Sequence, residues 1–197
     1  AVCPAGAIVI EPAGTEPVVL ATVETDARWL PFGEFDTTLL VRLLASRRSC
    51  RRYTGEPVSR AALEDLARIG STAPSGTNSQ SWTFTVVPDR RSMIAFGALV
   101  ARFYGRLNRL AANPAARFFS RLFLKDSLGV YYRHYHDRVR DALRQFDETG
   151  RDRLFHGATA AIVIATRPGA SCPGEDALLA AQNILLAAHT MGFGTCL

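Results

Sequence analysis

Lysine is almost absent from this chain: Lys125 is the single one among 23 basic residues, so the net charge of +5 rests on arginine. Codon usage produces such a bias as readily as function does, so it is weak ground for a polyanion partner. Cysteine is scarce as well. Cys3, Cys50, Cys172 and Cys196 form no C-x-x-C pair, which argues against a zinc site and a secreted disulfide framework and favours a reducing compartment. No apolar run approaches the roughly 18 residues that cross a bilayer, and the first residues carry Pro4 and Pro12 without the basic start of a signal peptide. A cytoplasmic protein is expected. The chain has no internal repeat, no low-complexity segment and no Ser/His/Asp, Cys/His or metal constellation, so no side chain is assigned a catalytic role.

What is present is a chain of 197 residues, 48% hydrophobic, enough for one domain that buries about 70% of its unfolded surface, with a small appendage. Thr37 to Arg47 places Leu39, Leu40, Leu43 and Leu44 on one helical stripe behind Asp36 as N-cap. Its end carries Arg47, Arg48, Arg51 and Arg52 around Ser49 and Cys50. Four guanidinium groups so close repel one another unless they are solvated at the helix end or share an anion such as phosphate. Ser59 predicts the cap of a second helix, Arg60 to Ile69. Then comes Pro74-Ser75-Gly76-Thr77-Asn78-Ser79-Gln80-Ser81-Trp82, a polar loop whose backbone N–H groups and short side chains can turn toward one ligand. It runs into a strand that includes Trp82 to Val86, where Trp82, Phe84 and Val86 alternate with threonines and Trp82 reads as a packing residue.

Arg-Arg-Ser-x-Arg-x-Tyr, an intervening helix, and Ala-Pro-Ser-Gly-x-Asn-x-Gln-x-Trp entering a strand together resemble the nitroreductase family of FMN-dependent oxidoreductases. The resemblance runs from about Thr37 to the last residue, with Ser81 where the family commonly has proline. It implies an α+β fold, a central sheet flanked by helices, in an intertwined homodimer with FMN at the subunit interface. Arg47, Arg48 and Ser49 would hold the phosphate and ribityl chain, and Arg51 would lie near the pyrimidine edge of the flavin. Pro74, Ser75, Gly76 and Asn78 would line the flavin from the second subunit. The cofactor would carry hydride or electrons from NAD(P)H, or from an electron-donor protein, to a small electron-deficient acceptor such as a nitroaromatic or quinone. Reductive dehalogenation and flavin fragmentation are alternatives on the same scaffold.

The opening Cys3-Pro4-Ala5-Gly6-Ala7-Ile8 resembles the end of a bacterial-type ferredoxin motif, with Cys3 as the last ligand of a 4Fe–4S cluster in the intact protein. A small buried thiol beside a turn proline is the bland alternative. The β-rich runs Ile8 to Ile10 and Val18 to Val23 suggest a hairpin closing that module, so residues 1–33 are expected to be a ferredoxin-like remnant with its linker and 34–197 the FMN domain. A fragment of a longer chain is expected at both ends. From Asp89 to Gln145, 11 arginines and Lys125 face four aspartates among many aromatics. Two or three amphipathic helices explain the pattern better than a nucleic-acid or membrane surface, because Leu99, Phe103, Leu107 and Leu110 keep helical spacing. Neither nucleic acid nor membrane is expected as a partner. His156 reads as structural. Thr159 to Thr166 predicts a buried strand, and Asp176 to Met191 a buried helix with Glu175 and Asp176 in its first turn.

Overall fold

The computed structural model describes residues 18–26, 28 and 30–197. Cys3, the ferredoxin-like opening and Ile8 to Ile10 lie outside them. The chain forms two compact units. The first takes the residues through Cys50 together with Val58–Val86 and Ile162–Leu197, and the second takes Arg51–Pro57 and Val87–Ala161.

In the first unit Asp36 accepts hydrogen bonds from the Thr38 and Leu39 N–H groups at 2.7 and 3.3 Å and starts α1, Thr37–Ser46. This helix buries nothing: Leu39, Leu40 and Leu44 are exposed. Ser59 caps α2, Arg60–Gly70, which turns Ala62, Leu63 and Leu66 inward. β1, Trp82–Val87, forms a two-stranded sheet with a later strand described below.

The second unit begins its helices with α3, Arg90–Ala112, capped by Asp89. It continues with α4, Pro114–Phe123, α5, Ser127–His134, and α6, His136–Thr149. Four helices therefore stand where two or three were expected. Pro114 has no N–H and holds Asn113 in extended backbone, which divides α3 from α4. Lys125 and Asp126, at φ 50 and 58, divide α4 from α5.

β2, Ala161–Thr166, pairs with β1, and the Arg167 N–H bond to the Ser81 carbonyl at 2.9 Å places the end of one strand beside the start of the other, an antiparallel register. Among the described residues the expected central sheet is these two strands. α7, Pro173–Thr190, closes the first unit. Leu66, Ile184 and Ala188 form its core, with Phe84, Ile162, Ile164, Met191 and Phe193 packed around them. Gly70 permits that approach, since a Cβ there would lie 2.8 Å from Ile184 and 3.0 Å from Phe84. The expectation that α7 is broadly buried needs correction. It buries one face of small residues, Ala180, Ala181 and Ala188 with Ile184, while Leu178 and Leu179 remain exposed. No helix among the described residues is long and apolar enough to cross a membrane.

Val18 to Val23 also depart from expectation, forming no strand. The N–H groups of Ala21 and Thr22 go instead to the buried carboxylate of Asp65 on α2, at 2.7 to 3.0 Å, and the Thr22 hydroxyl adds a bond of 2.6 Å. Burial alone would raise the Asp65 carboxyl, but the Thr22 hydroxyl, the two N–H donors and nearby Arg68 outweigh it and hold the group below its ordinary value. A lowered native value means that the contribution is complete above the unfolded value of about 3.9 and fades as pH falls through the native one. Asp65→Asn, which turns an amide toward these donors, should cost about 1.5 to 3 kcal/mol in urea denaturation at pH 7. The gap to the parent protein should narrow toward pH 3; a gap independent of pH would show that the carboxylate charge contributes nothing.

Candidate functional site

The arginine motif begins where α1 stops. Arg47 is the C-cap, at φ −61 and ψ 131, and its N–H donates to the Leu43 carbonyl at 3.3 Å. From there the chain is extended, and Ser49 makes a parallel bridge to Thr195 beyond the exit of α7. The Cys50 N–H donates to the Thr195 carbonyl at 2.8 Å. Gly194 allows this closeness, because a Cβ there would sit 3.0 Å from the Cys50 side chain. Arg47 is half-buried, and Arg48 and Ser49 are exposed. Arg48 donates to the carbonyls of Ala45 and Arg47 at 2.5 and 3.0 Å, so part of its guanidinium caps α1. Arg51 is exposed and opens the short Arg51–Pro57 segment of the second unit. No carboxylate among the described residues pairs with Arg47, Arg48, Arg51 or Arg52.

The polar loop is strained. Thr77, Asn78 and Gln80 have φ of 55, 53 and 45, a left-handed region that is unusual for any side chain and most of all for a β-branched one. Such residues persist where surrounding bonds over-determine them, and they gather at ligand sites. The Gly76 N–H donates to Asp176 Oδ1 at 2.8 Å, and the Gln80 N–H donates to the Ser75 hydroxyl at 2.9 Å. The Asn78 and Ser79 N–H groups close turns onto Ser75 and Gly76. Gly76 itself is required, since a Cβ would collide with the Ser171 hydroxyl and meet Cys172 Sγ at 3.0 Å. Pro74 is exposed and Ser75 half-buried on this loop. The Trp82 indole N–H donates to the Asp176 backbone carbonyl at 3.1 Å, so the ring anchors the end of the loop.

Asp176 is the residue that sequence reasoning underrated. It was visible as a first-turn acid, favoured by the helix dipole, but no local signal shows that it binds a glycine 100 positions earlier. Its Oδ2 and the Ser79 hydroxyl are buried without a hydrogen-bond partner among the described residues, leaving polar capacity beside the loop unused.

The two motifs occupy opposite ends of α7. Gly76 is tied to its first turn and Ser49 to its exit, and the helix between has 18 residues, about 27 Å at 1.5 Å per residue. The residues present fit a phosphate-bearing cofactor such as FMN: unneutralised guanidinium groups and an exposed Ser49 hydroxyl at one end, a glycine cradle with the unpartnered Ser79 hydroxyl at the other. For a metal, no cluster of His, Cys, Asp or Glu among the described residues is suitable, and Cys50, Cys172 and Cys196 are free thiols.

The model of the "Nitroreductase family" matches residues 44–197. A 4-nitrobenzoate reductase of Pseudomonas putida is 27% identical over 167 residues, which cover 78% of this chain and 69% of that protein. Iodotyrosine deiodinase 1 of Rattus norvegicus is 43% identical over 47 residues, 24% of this chain and only 16% of the rat enzyme. The crystal structure of a nitroreductase with bound FMN from Bacteroides fragilis aligns with a TM-score of 0.49 at 19% identity, covering 78% of this chain and 65% of that one. The family match takes in both motifs from Arg47 onward, the sheet and α7, and the chain belongs to the nitroreductase family.

Proposed function

We propose that this chain forms the FMN-binding part of a homodimeric reductase that delivers hydride or electrons to a small electron-deficient acceptor, such as a nitroaromatic or a quinone. The observation that carries the reading is the group of arginines without carboxylate partners where α1 gives way to extended chain. Arg47 and Arg48 bind the FMN phosphate by charge-assisted hydrogen bonds, Ser49 adds a hydroxyl, and Arg51 places a positive charge at the pyrimidine edge of the flavin. Bound FMN supplies the redox chemistry. The loop from Pro74 to Asn78, with Ser75 and Gly76 between, fixes the flavin plane and keeps water from it, and it comes from the second copy. The separation of the two motifs along α7 supports that division. The exposed leucines of α1 supply an apolar surface for the second copy to cover.

NAD(P)H or an electron-donor protein is the proposed electron source. In the intact protein Cys3 would ligate a 4Fe–4S cluster on that route, in the cytoplasm. A second reading is reductive dehalogenation, favoured by the 43% identity to the rat deiodinase within one 47-residue stretch.

Arg47→Ala should weaken FMN binding by about 1.5 to 3 kcal/mol, the worth of a charge-assisted bond, or roughly ten- to 150-fold in a fluorescence titration of flavin-free protein. Unchanged affinity would remove Arg47 from the site. The shared site has its own test. Arg47→Ala and Gly76→Ala chains each lose flavin alone, but a mixed dimer of the two contains one site built wholly from unaltered residues. Co-expression should therefore restore part of the bound FMN, whereas no recovery in isolated mixed dimers would mean that each chain builds its site alone.

A further inference from the structure

The second unit contains a cleft of about 550 Å³ between α3 and α6, closed at its sides by α5 and the 152–155 turn, with almost wholly apolar walls. None of the proposed flavin residues lines it. From the cleft we infer a binding site for one single-chain fatty carboxylate, lying along α3 with its head group at Arg138.

The cleft is held open by polar pins at both ends. At one end Asn108, buried on α3, donates to the His136 carbonyl at 3.2 Å and accepts from the Tyr131 hydroxyl at 2.7 Å. At the other, Arg90 donates to Asp152 Oδ2 at 3.2 Å and to the Ala158 carbonyl at 3.1 Å. Asp152 is itself fixed by the N–H groups of Leu154, Phe155 and Gly157. Between the pins the lining includes Gly97, which lies against the Phe155 ring, and Ala101 and Ala142, too small to fill the space that the pins set.

Shape and charge identify the occupant. The lining on α3 runs from Arg90 to Leu107, 17 steps or about 25 Å. Spread over that length, 550 Å³ leaves a mean cross-section of about 22 Å², room for an extended hydrocarbon chain but not for a helix about 10 Å across. Arg138 lines the cleft and has no carboxylate partner among the described residues. The hydroxyls of Tyr104 and Tyr135, on the same stretch of wall, have no hydrogen-bond partner there either, whereas that of Tyr131 is committed to Asn108. One cation and two hydroxyl donors at the end of an apolar trough suit a carboxylate head.

The test is calorimetric titration of the full chain with dodecanoate below its micellar range. One saturable site per chain is expected. Ala142→Phe, which fills the cleft, and Arg138→Gln, which removes the cation but not the packing, should each weaken binding at least tenfold, with circular dichroism confirming the fold. Phe119→Ser, on the exposed face of α4, should leave it unchanged. Saturable binding that is absent, is kept by Arg138→Gln, or is matched by dodecyltrimethylammonium would overturn the assignment. Should Ala142→Phe fail to fold, Ala101→Phe fills the same space from the opposite helix.

Discussion

The bond from the Gly76 N–H to the Asp176 carboxylate is the constraint on which the rest of the candidate site depends. Three left-handed non-glycine residues in one loop carry strain of about 1 to 3 kcal/mol each, and the loop has only a single 3-10 turn, Gly76–Asn78, of its own to hold them. A buried carboxylate is a costly anchor unless its charge is favoured by its surroundings. Asp176 meets that condition because it sits in the first turn of α7, where unsatisfied N–H groups and the helix dipole favour an anion. Its backbone carbonyl takes the Trp82 indole N–H as well. One residue thus fixes both the glycine that starts the strained segment and the aromatic ring that ends it.

α7 carries this constraint to the core. Its inner face is built from Ala180, Ala181, Ile184 and Ala188, so α2 can approach closely, and Gly70 completes the fit. The same helix leads to Gly194 and Thr195, which hold Ser49 and Cys50 in the middle of the arginine motif. Moving either end of α7 therefore disturbs one of the two motifs, and among the described residues no hydrogen bond joins one motif to the other. In the proposed dimer α7 of each copy thus links the phosphate end of one flavin site to the ring end of the other.

Features whose cause is local were legible in the sequence. Asp36 and Ser59 cap the helices they were expected to cap, because an N-cap needs only a short acceptor beside the first turn. The strands around Phe84 and Ile164 were legible from their alternation and apolar runs, although β2, expected to be buried, has no buried residue and exposes Val163. Features set by distant partners were not. Val18 to Val23 have the composition of a strand, but Asp65 on α2 satisfies their N–H groups, and nothing near residue 20 announces an acceptor 44 positions later. Leu178 and Leu179 suggested a helix buried all round, whereas the alanines on its other face form the packed side. The separate helices α3 to α6 were partly legible, since Asn113-Pro114 marks a break; the left-handed pair Lys125-Asp126 has no such signature.

The site follows the same division, which explains why the arginine motif and the polar loop could be named while Asp176 and the α3–α6 cleft could not. A motif is a run of neighbours whose spacing is its own signal. The cleft is lined by Gly97, Ala101 and Ala142 between pins at Asn108 and Arg90. Each of these residues is ordinary in its own helix: a small residue on a helical stripe normally marks close packing, as Ala188 does in α7. Here the pins prevent that closure, so the same small residues leave a lumen instead of a contact. Whether small side chains mean contact or cavity is decided by the polar groups at the helix ends, and their pairing across 28 to 68 positions exists only once the chain has folded.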